Sequence, residues 1–243
     1  MSQMKVIDTS KFVVSEQSDY NIINYNYTPI VEIDNFIENF SEFRDFVLSI
    51  PVEKNVSAGF EVNHEHGFAP GYHTTLSYRF DNITNKIFDV ISNVYQDNRV
   101  EEIKYQTNIF DTSNKCPYST VQPHMDPCAY AFNLWFNDEE DCKGGTGFCI
   151  HKESNSHYLN PSLDIVKSAK IMSDMKTPFE QFKLKKADFD YSEIDDSIWE
   201  IKIISEMKPN RLVIYPAACF HFVYTKKEWF SEKTRNSLAG FII

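Results

Sequence analysis

Residues 210–224 read NRLVIYPAACFHFVY, and residues 122–127 read QPHMDP. The first is an apolar run long enough for two short strands interrupted at Pro216, with one histidine, His221, in the second half. In the second stretch His124 and Asp126 stand two residues apart. On a strand, where successive side chains alternate, they point to the same face. An imidazole beside a carboxylate makes two-thirds of a 2-His-1-carboxylate set, the donor pattern that holds a first-row metal from one side and leaves positions open on the other. His221 is the candidate third member.

Outward from these two stretches, the chain from residue 103 onward reads as short strands: 103–110, 121–126, 129–136, the run after the glycines at 144–147, 199–203, 211–215, 220–224 and 235–243. Seven or eight short strands with turns between them fit a sandwich or jelly roll better than a parallel sheet. In the first hundred residues, Phe40, Phe43, Val47 and Ile50 repeat at helical spacing after Asn39 and before Pro51. Ile83, Ile87, Val90, Ile91 and Val94 form one apolar stripe, with Asn82 or Thr84 as its cap. A short strand is expected at 30–33 and another at 73–80. Helices ahead of a strand-rich half are expected to cover one face of a sheet.

The reading is one domain over 1–243: an N-terminal arm at 1–28 without periodicity, helical and strand support at 29–102, and a β core at 103–243. That core carries an insertion at 152–197 with weak helical patches at 163–175 and 178–185. The insertion is either a lid or a surface excursion. Gly144, Gly145 and Gly147 lack the following Lys-Ser/Thr and helix of a phosphate cradle, so close backbone approach or a bulge accounts for them better. His64 and His66 stand in a polar loop with no third ligand nearby; a substrate-facing lip is the functional alternative to simple solvation.

A net charge of −11 argues against binding a phosphate backbone, which needs a basic footprint. The five cysteines are odd in number and show no CxxC, so neither a disulfide framework nor a zinc knuckle is indicated. Cys128 and Cys219 flank the candidate ligands but read as small buried hydrophobes. No apolar leader or membrane-length run is present, and the default expectation is cytoplasmic, with no membrane partner.

An HxD triplet is weak by itself: seven His and seventeen Asp in 243 residues give roughly half a chance match. Its order relative to other features says more. Arg235 follows His221, and Ser237 sits at the alternate position of the same strand, where the two can hold a carboxylate through charge-assisted hydrogen bonds. HMD, then NRLVIYPAACFHFVY, then RNS resembles the iron(II)/2-oxoglutarate-dependent oxygenase superfamily, with its HxD…H…RxS pattern, over about residues 103–243. The distal-histidine segment looks like that of prolyl-hydroxylase-like members. GGTGF at 144–148 and the Pro70-Gly71 turn resemble a bacterial group of uncharacterised 2-oxoglutarate oxygenases.

The resemblance implies a fold that is mainly β with flanking helices, a double-stranded β-helix (jelly roll, cupin-like). It implies iron(II) on His124, Asp126 and His221, and 2-oxoglutarate on Arg235 and Ser237, with Asn133 and Tyr118 as further co-substrate contacts. Dioxygen would be the oxidant, and succinate and carbon dioxide the by-products. The carboxylate at 126 sets the chain apart from the halogenase branch, which has a small residue there. Hydroxylation of an amino acid, a peptide or a small natural product is the expected activity. Two other readings stand beside it: a non-catalytic jelly-roll protein that binds a small molecule or metal, and a cupin-type metalloenzyme that needs neither Arg235 nor Ser237.

Overall fold

The structure is a computed structural model of the chain and describes residues 8–16, 18–54, 72–76, 78–110, 123–159, 165–184, 194–226, 228–230 and 232–243. In chain order the elements are β1 (Asp19–Tyr25), β2 (Thr28–Asp34), α1 (Phe40–Leu48), β3 (Glu53–Lys54), β4 (Tyr72–Thr75), α2 (Asp81–Tyr95), β5 (Ile103–Phe110), β6 (Tyr130–Trp135), β7 (Gly145–His151), α3 (Ile165–Leu184), β8 (Trp199–Glu206), β9 (Leu212–Pro216), β10 (His221–Tyr224) and β11 (Arg235–Ile242). They form an eight-stranded sheet, β1-β2-β9-β6-β11-β5-β4-β3, and a three-stranded sheet, β10-β7-β8. All pairings are antiparallel. From β5 on, the chain passes back and forth: β6 in the large sheet, β7 and β8 in the small one, β9 large, β10 small, β11 large. That alternation is the jelly roll.

The apolar run at 212–216 is continuous because both faces of the large sheet are buried. Leu212 and Ile214 point outward to the helices, where they join Phe43, Val47, Ile83, Ile87 and Ile91. Val213 and Tyr215 point inward, where they meet Phe148 of the small sheet and Trp135. Trp135 and Phe148 are therefore core, as their sequence context suggests. Each fully buried Leu, Ile or Phe contributes roughly 1.5–3 kcal/mol of transfer free energy. The helical layer thus fixes the large sheet from outside while the small sheet closes it from inside.

Several local expectations give way to tertiary partners. Asn39 stands at the N-cap of α1, as expected, but its side chain makes no capping hydrogen bond; its Nδ2 donates to the Lys11 carbonyl at 3.1 Å and to Glu42, three residues on, at 3.3 Å. Neither Asn82 nor Thr84 caps α2. The cap position is Phe80, while Asn82 Nδ2 donates to the Ser10 carbonyl and Thr84 Oγ1 hydrogen-bonds the Tyr105 hydroxyl at 2.7 Å. Part of the N-terminal arm is a strand: β1 folds back on β2 through Asn26 and Tyr27, both at positive φ (46° and 66°), which is hairpin-turn geometry. Strand β8 carries a bulge. Ile201 pairs with Cys149 and Ile203 with Phe148, so Lys202 is extra and the two isoleucines face opposite sides.

Within the insertion, the two expected patches are one helix, α3. Its residues Ile171 and Met175 pack on Cys149, Trp199, Phe220 and Phe222, the outer side of the small sheet. His151 Nε2 meets Asp174 Oδ2 at 2.8 Å, and Lys170 Nζ donates to both Asp174 oxygens. This cluster, buried at His151 and Asp174 and exposed at Lys170, ties the helix to the barrel wall. Among the described residues, no helix is long and apolar enough to cross a membrane.

Candidate metal centre and anion site

His124 and His221 are bridge partners between two stretches of backbone. His124 N–H donates to the His221 carbonyl at 2.9 Å and His221 N–H to the His124 carbonyl at 3.0 Å. Within 123–126 the ladder is confined to that bridge. Pro123 and Pro127 flank it and offer no N–H to extend it; residues 121 and 122 lie outside the described residues. Asp126 N–H instead donates to the Ala217 carbonyl at 3.1 Å, which turns the aspartate back toward the histidines.

The three side chains converge. His221 Nε2 lies 3.2 Å from Asp126 Oδ2, and His124 Nε2 lies 4.0 Å from Asp126 Oδ1. One donor atom from each residue falls within 4.8 Å of the others. Ligands at right angles on one ion, each about 2.1 Å away, would stand about 3 Å apart. The orientation of His221 suits the same purpose. Its Nδ1–H donates to the Cys219 carbonyl at 2.9 Å, which leaves the Nε2 lone pair aimed at the carboxylate. Two imidazoles and a carboxylate converging in this way fit a first-row divalent metal.

The cysteines nearby stay out of this set. Burial, with Asp126 close by, pushes the Cys128 thiol up to about 11, and its Sγ donates to the Tyr130 carbonyl at 3.3 Å. Burial raises Cys219 to about 12. Both remain protonated thiols at neutral pH, which are poor ligands.

The donors open on a cavity of about 250 Å³ between the sheets, lined also by Gln106, Asn108, Asn133, Thr146, Tyr215 and Arg235. Ala131 and Ala239 face inward where longer side chains would fill the space. Arg235 is 4% exposed, and among the described residues no carboxylate pairs with it. Among the described residues its Nε has no hydrogen-bond partner, and its Nη2 lies 3.4 Å from the Gly145 carbonyl. Burial lowers its pKa to about 10, so it is still a cation at neutral pH. Ser237 shares the inward face and is fully buried, its Oγ likewise without a partner. The glycine at 145 approaches backbone closely: an added Cβ would lie 1.9 Å from the Ser205 carbonyl oxygen, and one on Gly144 (φ 77°) 2.1 Å from that of Tyr224.

A family model matches residues 16–233. The chain belongs to that family, described as a family of unknown function (DUF6445). Among solved structures, the chain is similar to IDO from Bacillus thuringiensis, at 12% identity over 88% of this chain and 90% of that one, with a TM-score of 0.40. It is similar to a Pseudomonas putida prolyl-4-hydroxylase at 9% identity over 83% and 82%, with a TM-score of 0.37. The non-heme alpha ketoglutarate dependent epimerase SnoN from nogalamycin biosynthesis is 9% identical over 90% of this chain and 80% of its own, with a TM-score of 0.48. No curated protein matches the sequence. Residue roles in this member of the family therefore rest on its own geometry.

That geometry brings His124, Asp126, His221, Arg235 and Asn133 to one cavity. Ser237 is beside them on β11 but is not part of the cavity wall. Tyr118, His64 and His66 lie outside the described residues. The described residues of the insertion do not line the cavity; they brace the small sheet from behind. Tyr215, Gln106 and Thr146 were not singled out by their sequence context. For Tyr215 a signal existed: it is the one polar side chain within an otherwise aliphatic strand, Leu212–Pro216.

Proposed function

We propose that the chain is an iron(II)- and 2-oxoglutarate-dependent dioxygenase that hydroxylates an unactivated C–H bond of an amino acid, peptide or small natural product, releasing succinate and carbon dioxide. The observation that carries this reading is the coexistence, in one cavity, of three converging metal donors and a buried guanidinium with no carboxylate of its own. An isolated buried cation is expensive unless something anionic joins it.

In this reading His124, Asp126 and His221 hold the iron, whose redox chemistry, when bound, couples oxidative decarboxylation of 2-oxoglutarate to C–H oxidation. The Cys219 carbonyl keeps His221 in the tautomer with a free Nε2. Arg235, with Ser237 beside it, takes the distal carboxylate of 2-oxoglutarate.

The test needs no substrate. Under anaerobic conditions, iron(II) followed by 2-oxoglutarate is expected to give the weak visible charge-transfer band of the chelated complex. His221→Ala should abolish it, and Arg235→Ala should demand more 2-oxoglutarate. Iron binding without any band would instead indicate a cupin-type metalloenzyme. Absence of iron binding would sink the proposal.

A further inference from the structure

An edge strand offers unpaired N–H and C=O groups to any other strand, and proteins blunt such edges with charge, bulges or brevity. At one end of the large sheet β3 is two residues long, Glu53 and Lys54, both charged. In the small sheet β10 has four residues and is bridged at His221 to His124. At the other edge of that sheet, β8 carries Glu200, Lys202 and Glu206 together with its bulge. Strand β1, at the far end of the large sheet, has none of these devices. It is seven residues long, pairs with β2 without a bulge, and has no charged residue or proline from Tyr20 to Tyr25.

The hairpin shows which groups of β1 are free. Asn26 and Tyr27 form a two-residue turn, so Tyr25 and Thr28 exchange both backbone hydrogen bonds, and such pairs alternate with unbonded ones along the strands. Asn21 and Ile23 therefore bond to β2, while Tyr20, Ile22 and Asn24 turn their N–H and C=O groups away from it. Among the described residues these groups have no backbone partner. Tyr20 and Ile22 lie on the helix side of the sheet, opposite Ile33 and Val31, and are 46% and 50% exposed.

We propose that this edge is a dimer seam, filled by β1 of a second copy running antiparallel across Ile22. About that centre the edge is complementary to itself. Ile22 faces the partner's Ile22, and Tyr20 faces the partner's Asn24. Each such pair exchanges two N–H···O bonds, so no backbone group of the three residues is left over. Opposed residues share a face, so the two isoleucines make an apolar cross-strand pair and each phenol lies beside an amide. Charge selects the same place. The chain carries −11, so copies repel one another in general, and a seam without charged residues is where they can approach. No residue of β1 lines the cavity, so the seam stands apart from the proposed metal site.

The experiment is sedimentation velocity of the full chain over a range of concentrations, with folding checked by thermal melts. The native protein is expected to dimerise in the micromolar range. Ile22→Lys and Ile22→Glu each set like charges opposite one another and should weaken dimerisation by at least about tenfold. Their equimolar mixture sets lysine against glutamate and should restore the dimer, as only a seam that pairs position 22 with itself can do. Ile22→Pro removes a free-edge N–H without touching the ladder to β2, and should dissociate the dimer as well. If Ile22→Pro does not fold, the two charge variants and their mixture decide. A native protein that stays monomeric throughout the micromolar range leaves the edge to a different chain and overturns the proposal. A dimer indifferent to all three variants, or a mixture no more dimeric than its components, overturns it too.

Discussion

Replacing Arg235 by methionine should make the ligand-free protein more stable while disabling the proposed anion site. The guanidinium is 4% exposed, with no ion pair among the described residues. Burial depresses its pKa from 12.5 to about 10. At about 1.4 kcal/mol per tenfold, that corresponds to roughly 3 kcal/mol of folding free energy withheld while the group is charged. The sign follows from proton linkage. Between the folded value and 12.5 the unfolded chain binds more protons, so the penalty is present in full at neutral pH and relaxes only above pH 10.

Methionine fills similar volume without charge, and exchanges of this kind are neutral or stabilising by about 1–4 kcal/mol. For a chain of this size each kcal/mol moves the melting temperature by about 2–4 °C. A rise of several degrees is therefore expected for ligand-free Arg235→Met in a thermal melt. The native protein should recover the difference when iron(II) and 2-oxoglutarate are added, since ligand at 100 times its dissociation constant adds about 2.7 kcal/mol. The variant should gain only the contribution of the metal. A ligand-free variant that melts well below the native protein would refute the reasoning. It would mean that Arg235 is a satisfied structural tie, whose removal typically costs about 3–5 kcal/mol.

Three further outcomes test the frame around the site. Ile87→Ala, at a fully buried position of α2 against the outer face of the large sheet, should cost about 2–5 kcal/mol by urea unfolding. Gly144→Ala forces a side chain into a left-handed conformation and onto the Tyr224 carbonyl, so it should destabilise by at least about 1–3 kcal/mol in the same assay. Asp34 is held below 3.8 by its hydrogen bonds to Arg211, which outweigh its partial burial. Its contribution is complete above pH 3.8 and lost as pH falls through the lower folded value. Asp34→Asn should therefore lower the melting temperature at pH 7 and flatten its fall below pH 4; an unchanged acid limb would show that Asp34 is not its source.

The fold was legible where burial is two-sided. Strands such as Leu212–Pro216 and Tyr130–Trp135 carry apolar residues toward both the helices and the small sheet, so they stand out as runs without needing a partner. Strand β1 was illegible for the opposite reason. It lies at the sheet edge, exposes Tyr20 and Ile22, and is specified by its turn and by pairing with β2. The cap of α2 was misread because the amide of Asn82 is spent on a segment distant in sequence, a choice local spacing cannot reveal. The bulge at Lys202 belongs to the same class, since one extra residue against the Phe148–Cys149 step is visible only from the neighbouring strand.

The site divides along the same line. The histidines and Asp126 announce themselves by chemistry, because few other uses need those donors in that order. Tyr215 was hidden by register, whereas Asn133, expected from the resemblance, lines the cavity with it. Asn133 lies opposite Val213 on β9 and opposite Ala239 on β11, and Tyr215 lies opposite Ala131. Their side chains meet only because both face inward across that ladder, with alanines as their neighbours. A slip of one residue in β9 would turn Tyr215 to the helices and Ile214 into the cavity. The hydrophobic pattern that holds β9 in place, Leu212 and Ile214 out and Val213 in, is thus also what delivers the phenol into the cavity. In this barrel the packing code and the binding code are written on the same strand, on alternate residues.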